Sequence, residues 1–146
     1  MIIETRAFGP VEIDEERMMK FVGPMLGFEG ADRYALIDLN PESPFKVLQL
    51  ADRGEICFLV TDPSFFFPNY KVTLSTEEVA DLGLTDPSKA AVLLVVTIRE
   101  GGKRLTANLK APVVVNAEKL LAKQVVLKTD AYKVDEPIPL DLGKTP

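Results

Sequence analysis

Residues Ala91 to Arg99, Ala-Val-Leu-Leu-Val-Val-Thr-Ile-Arg, form an almost unbroken apolar and β-branched run, and the chain turns back on itself directly afterwards. The turn contains Glu100-Gly101-Gly102, whose glycines can adopt positive φ. The returning arm alternates instead, with Leu105, Ala107 and Leu109 on one side and Arg104, Thr106, Asn108 and Lys110 on the other. A continuous apolar arm is expected where both faces of a strand are covered, and an alternating arm where one face stays open to water or to a partner. We read this hairpin as the central ribbon of a sheet.

Further strand-like runs fall near Ile2 to Thr5, Val11 to Ile13, Arg17 to Phe21, Tyr34 to Asp38, Lys46 to Leu50, Cys57 to Thr61, Tyr70 to Leu74, Val113 to Asn116 and Lys123 to Leu127. One helix is well signalled. Ser75 is placed as its N-cap, Glu78 completes a capping box three residues on, and Gly83 provides the stop. A second short helix could begin at Asp14. The expected fold class is mainly β, a single-domain antiparallel barrel-like fold with one or two short helices. Prolines after Val134 block regular ladders, so the chain from Asp135 on reads as peripheral; the domain itself is taken as 1–139, with 140–146 a C-terminal tail.

Composition narrows the function. At 146 residues and 47% hydrophobic content the chain can remove roughly two thirds of its unfolded surface from water without a disulfide or metal staple. Its single cysteine, Cys57, sits in a predicted strand and reads as a small buried hydrophobe, which suits a reducing cytoplasm. No apolar stretch approaches the ~20 residues of a membrane-spanning helix. Histidine is absent, which removes Ser-His and Cys-His nucleophile activation and most zinc chemistry, and no phosphate-binding glycine motif occurs. No cofactor is expected. A net charge of -5 argues against direct nucleic-acid binding, which relies on basic residues to displace counterions, and leaves a basic protein partner open.

The stretch Asp62-Pro63-Ser64-Phe65-Phe66-Phe67-Pro68-Asn69-Tyr70 sets three phenylalanines between two prolines. Two or more of these rings could plug one end of the β core. An extended chain, however, cannot send three successive side chains to one side, so at least one ring should face outward. Phe65, Phe66, Phe67, Pro68, Asn69 and Tyr70 are therefore the first candidate binding residues, since rigid aromatics lose little entropy on association. Asn108, on the polar side of the hairpin, and Gln49 are further candidates; each could equally satisfy a neighbouring loop. Glu77, Glu78 and Asp81 form an acidic helix face that reads by default as solvated.

Taken in order, several motifs resemble one family: Phe8-Gly9, Gly27-Phe28-Glu29, Pro44 to Gln49, Asp62-Pro63 through Phe66-Phe67-Pro68-Asn69-Tyr70, Thr106 to Asn116, and Lys123 to Leu127. Together they resemble the flagellar assembly factor FliW over roughly Phe8 to Pro139. The chain departs from the family pattern in having Pro24-Met25-Leu26 where Gly-Leu-Pro is usual, Asn69 for aspartate and Leu50 for serine. The resemblance implies a non-enzymatic protein-binding switch, monomeric when free. Its implied partners are flagellin and CsrA, a small RNA-binding translational repressor antagonised away from its RNA site. Two alternatives come from other classes: a barrel holding a small apolar ligand among the phenylalanines, and an enzyme working through lysine and carboxylates.

Overall fold

A computed structural model describes the chain except for residues 7, 24, 26–31, 39 and 140–146. The Gly27-Phe28-Glu29 motif, the departures at Pro24 and Leu26, and the proposed C-terminal tail lie outside the described residues. In chain order the strands are β1 (Ile2–Thr5), β2 (Gly9–Glu12), β3 (Met19–Phe21), β4 (Arg33–Ile37), β5 (Phe45–Leu50) and β6 (Cys57–Thr61). Helix α1 (Thr76–Asp81) follows, then β7 (Ala91–Arg99), β8 (Arg104–Ala107), β9 (Val113–Asn116), β10 (Leu121–Gln124) and β11 (Glu136–Pro137).

The long apolar arm closes the fold. β7 pairs along one edge with β6, Leu59 opposite Val96 and Thr61 opposite Leu94. Its other edge serves two strands in succession: Ala91 to Leu93 pair with β9, and Val96 to Arg99 pair with β8. Continuing β7-β6-β5-β4-β3-β10-β9 and back to β7, the ladder forms a closed ring of seven strands. Closure removes the free edges that an open sheet would expose. The pairing is antiparallel except where β10 meets β3, with Leu121 opposite Lys20 and Ala122 opposite Phe21 in parallel.

Met19, Phe21, Tyr34, Leu48, Leu50 and Val60 fill the barrel interior. Phe21 and Tyr34 lie 4.7 Å apart between ring centres, a tilted contact favoured by ring quadrupoles. Fully burying side chains of this size stabilises the fold by about 1.5–3 kcal/mol each relative to leaving them in water. The β1–β2 ribbon lies outside the ring and buries Ile3 against Ala35 and Ala51. Its turn is fastened by Thr5, whose hydroxyl donates to the Gly9 carbonyl and accepts from the Phe8 N–H. Around α1 the capping box forms as expected: the Ser75 hydroxyl accepts from the Glu78 N–H, the Glu78 carboxylate accepts from the Ser75 N–H, and Gly83 stands at φ 63°. The second helical signal becomes a single 3-10 turn, Glu15–Arg17, capped by Asp14.

Four expectations change. Tyr70 to Leu74 is extended but pairs with no strand: Val72 and Leu74 pack on a cluster around Leu82, Val114, Val125 and Leu127. Their period of two thus reflects one-sided burial rather than a ladder. Cys57 is exposed. Phe58 and Val60 pack on the barrel core, which leaves Cys57 and Leu59 on the outer face, where only Leu59 is covered. The chain after Val134 is not peripheral, because β11 pairs with β8, Glu136 opposite Ala107 and Pro137 opposite Thr106, and Ile138 is buried. Finally, the polar side of β8 is partly closed, Thr106 being buried with its hydroxyl accepting from Arg99 Nε, while it is the end of β7, at Thr97 to Arg99, that stands exposed.

Candidate functional site

The aromatic stretch is two successive turns rather than an extended chain. Asp62 caps a 3-10 turn at Pro63–Phe65, its carboxylate accepting from the Ser64 N–H at 2.9 Å, and Pro63 at the first helical position supplies a φ already suited to it. The Phe67 N–H donates to the Pro63 carbonyl at 2.7 Å, and the Tyr70 N–H donates to the Phe67 carbonyl at 3.0 Å. This winding divides the three rings. Phe65 is 61% exposed. Phe66 is half-buried and stacks on Phe45 with 5.7 Å between ring centres; with Phe67 it packs over Leu94, Val96 and Leu105. At least one ring faces outward, as expected; that the adjacent Phe66 and Phe67 both turn inward follows from the helical turn, since strand alternation would send them to opposite sides.

Tyr70 locks the far end of the loop. Its hydroxyl donates to the Leu109 carbonyl at 2.6 Å, its ring lies 4.7 Å from that of Tyr132, and the Tyr132 hydroxyl accepts from the Lys71 N–H. Burial, and then the neighbouring Tyr132, push the Tyr70 phenol well above its ordinary range, so it stays a donor at alkaline pH where a free phenol would ionise. A cleft of about 420 Å³ opens beside these residues, lined by Phe67, Tyr70, Leu109, Tyr132, Lys133 and Glu136 among others. Pro68 and Asn69 are exposed at its rim.

Asn108 belongs to the same neighbourhood, in a structural part. Its side-chain oxygen accepts from the N–H groups of Lys110 at 3.1 Å and Ala111 at 2.9 Å, shaping the turn whose Leu109 carbonyl receives Tyr70. Gln49 lies elsewhere and is fully buried. Its Nε2 donates towards the carbonyls of Leu50, Arg53, Gly54 and Ile56, so it shapes the connection between β5 and β6. An approaching partner does not reach it, and the expectation that Gln49 is a contact residue is corrected accordingly.

Comparison with known proteins gives the arrangement its kinship. The FliW protein family profile matches residues 2–138. The flagellar assembly factor FliW of Bdellovibrio bacteriovorus is 40% identical over 138 residues, covering 94% of this chain and 79% of that protein. Its counterpart from Leptospira biflexa serovar Patoc is 37% identical over 133 residues, covering 90% and 87%. A solved crystal structure of the flagellar assembly factor FliW superposes with a TM-score of 0.85 at 30% identity, covering 94% of this chain and 96% of that one. The chain belongs to the FliW family.

Two departures from the FliW pattern now have physical readings. Leu50 is buried in the barrel interior, where it fills space with hydrocarbon that a serine would leave to a smaller hydroxyl. Asn69 is exposed on the loop, so exchanging carboxylate for amide changes surface charge and not the fold. Two residues of this FliW site escaped the sequence reading: Tyr132, which braces Tyr70, and Phe45, which carries Phe66. Phe45 was legible beside a strand, but its pairing with a ring beyond the following strand depends on the register between β5 and β6. Tyr132 sits in a stretch with no strand or helix period, and nothing in its local sequence points to the loop.

Proposed function

We propose that this chain is a non-enzymatic flagellar assembly regulator of the cytoplasm that binds flagellin and a CsrA-like translational repressor. In this reading it is held by flagellin, is freed as flagellin leaves the cell, and then antagonises the repressor allosterically, away from the repressor's RNA site. The observation that carries the reading is the loop from Phe65 to Tyr70. A large apolar ring stands in water on a backbone fixed by two turns, two prolines and the Tyr70 hydrogen bond, and a preorganised anchor of that kind loses little entropy when a partner covers it. Phe65, Pro68 and Asn69 are the accessible contacts, and Phe66, Phe67 and Tyr70 hold them in place. The net charge of -5 suits a partner with a basic surface and opposes direct binding to RNA. The alternative, a small apolar ligand held among the phenylalanines, would have to use the cleft beside Phe66 and Phe67, which Asn69, Lys133 and Glu136 also line and the exposed Phe65 does not.

The test is a gel-shift titration with labelled flagellin leader RNA, the host's CsrA-type repressor and this protein, alone and combined. The protein should leave free RNA unshifted and should release RNA from the repressor. Phe65→Ala should leave the melting temperature within ~2 °C of the parent while weakening partner binding roughly tenfold, as loss of an exposed aromatic anchor does. Retention of RNA by the protein itself, or an unchanged repressor–RNA complex at saturation, would sink the proposal.

A further inference from the structure

The two halves of the loop from Phe65 to Tyr70 are held in different ways. The first is fastened by its own neighbours: the Asp62 carboxylate accepts from the Ser64 N–H, the Phe65 N–H donates to the Asp62 carbonyl at 3.2 Å, and the Phe66 N–H donates to the Pro63 carbonyl at 3.2 Å. Phe65 therefore stands on a turn that closes on itself. The second half, Pro68 to Tyr70, has one local bond among the described residues, from the Tyr70 N–H to the Phe67 carbonyl, and otherwise depends on distant parts of the chain. The Tyr70 hydroxyl reaches the Leu109 carbonyl, and the next N–H, that of Lys71, donates at 3.1 Å to the hydroxyl of Tyr132, 61 residues away. From Lys71 to Leu74 this is the only hydrogen bond the backbone makes among the described residues. Tyr132 is itself well placed to serve as an anchor. On one side of it the Ala131 N–H donates to the Thr129 hydroxyl at 3.1 Å, and on the other the Lys133 carbonyl accepts from the Leu109 N–H at 2.9 Å. The Tyr70 and Tyr132 rings, tilted at 59°, both pack against two apolar clusters, the one under the phenylalanines around Leu94 and Leu105 and the one around Leu82 and Val114.

We propose that Tyr132 is a positioning residue for partner binding: its hydroxyl and ring set where the loop presents Pro68 and Asn69, while Phe65 is presented without its help. This role rests on the regulator reading, which takes the exposed loop as the partner contact. Removing the Tyr132 hydroxyl leaves the Lys71 N–H without its acceptor and frees the chain that leaves the loop. The exposed corner at Pro68 and Asn69 then samples positions that a partner must reorder, and that ordering is subtracted from the affinity. The turn under Phe65 shares no hydrogen bond with Tyr132 or Lys71, so its contact survives. Tyr132 and Asn69 thus act on one contact and Tyr132 and Phe65 on two. Substitutions that share a contact are non-additive, whereas independent ones add.

The experiment is a double-mutant cycle on the full chain, read as calorimetric binding of the host's flagellin, with hydrogen exchange followed at the Lys71 amide. Tyr132→Phe keeps the ring against Tyr70 and removes only the acceptor, so the variant should melt within ~3 °C of the parent. It should bind flagellin about fivefold more weakly and exchange the Lys71 amide about fivefold faster, the worth of one hydrogen bond. In an Asn69→Ala background the same substitution should weaken binding by less than about twofold, and in a Phe65→Ala background by its full amount, about fivefold. A role in stability alone would give equal losses in the two backgrounds. Parental affinity in Tyr132→Phe, equal losses in both backgrounds, or coupling to Phe65 instead of Asn69 would overturn the proposal. Should the parent chain bind no flagellin, the regulator reading fails and the amides decide the position of Tyr132: exchange that quickens only within residues 69–71 upholds its positioning role, and unchanged exchange at Lys71 overturns it.

Discussion

The side-chain amide of Gln49 faces four carbonyl oxygens at distances from 3.0 to 3.4 Å, a ring of acceptors that only a donor can fill. Three of these carbonyls also accept backbone N–H groups, Gly54 from Arg6, Ile56 from Leu50 and Arg53 from Ile56. Gln49 is therefore the second partner that draws these crowded oxygens into one loop, and its removal leaves them partly satisfied. Gln49→Leu is expected to lower the unfolding free energy by about 2 kcal/mol, within the cost of stranding buried acceptors, while binding of flagellin and repressor per folded molecule is unchanged. Urea unfolding beside a binding titration checks it; lost binding with intact stability would return Gln49 to the surface contacts. Polarity inside a strand pattern was legible in the sequence, but which way the side chain faces was not. Asn108 shows the same limit. The sequence places it between two inward-facing apolar residues, Ala107 and Leu109, and both are buried; yet the strand ends at Ala107, and the Asn108 amide serves the turn that follows.

At the scale of elements, what the sequence revealed were the pieces defined by their own chemistry: α1 with its capping box, the β7–β8 hairpin with glycines 101 and 102 at positive φ, and the strands β1, β6, β7 and β9 at their expected bounds. What it hid were features set by distant neighbours. Tyr70 to Leu74 has the period of a strand because it lies on a hydrophobic cluster, and β11 exists despite Pro137 because it caps the free edge of β8. The seating of the β1–β2 ribbon is also non-local. Gly54, in the β5–β6 connection, accepts from the Arg6 N–H, and a Cβ placed on it would lie 1.7 Å from the Glu4 carbonyl oxygen. Backbone cannot yield to a side chain at that distance, so Gly54→Ala must push the ribbon and the loop apart. A loss of about 3 kcal/mol or more is expected, at the upper end for overpacking, with hydrogen exchange rising first in residues 2–12. Parental stability in this variant would show that the ribbon is not held through Gly54.

For the whole molecule, the core is enclosed by a closed ladder in which the pairing of β10 with β3 joins distant parts of the sequence. Enclosure also sets how the fold responds to alkali. Burial raises the Tyr34 phenol above its ordinary value near 10, and burial together with Tyr132 raises Tyr70 further. A group whose folded pKa exceeds its unfolded one keeps its proton in the native state after the unfolded chain has released it. Its contribution to stability is therefore complete below about pH 10 and is lost as the pH rises through the folded value. The urea midpoint should hold steady from about pH 8 to about 9.5 and decline beyond it. Tyr34→Phe separates the cause from general alkaline damage, because the Tyr34 hydroxyl is buried without a hydrogen-bond partner among the described residues while its ring packs between Phe21 and Phe58. The variant keeps the packing and forfeits no hydrogen bond to the protein, so its neutral-pH stability should stay within about 1 kcal/mol of the parent and its alkaline decline should be shallower. An alkaline decline as steep as the parent's would show that the barrel interior is not where the proton is held.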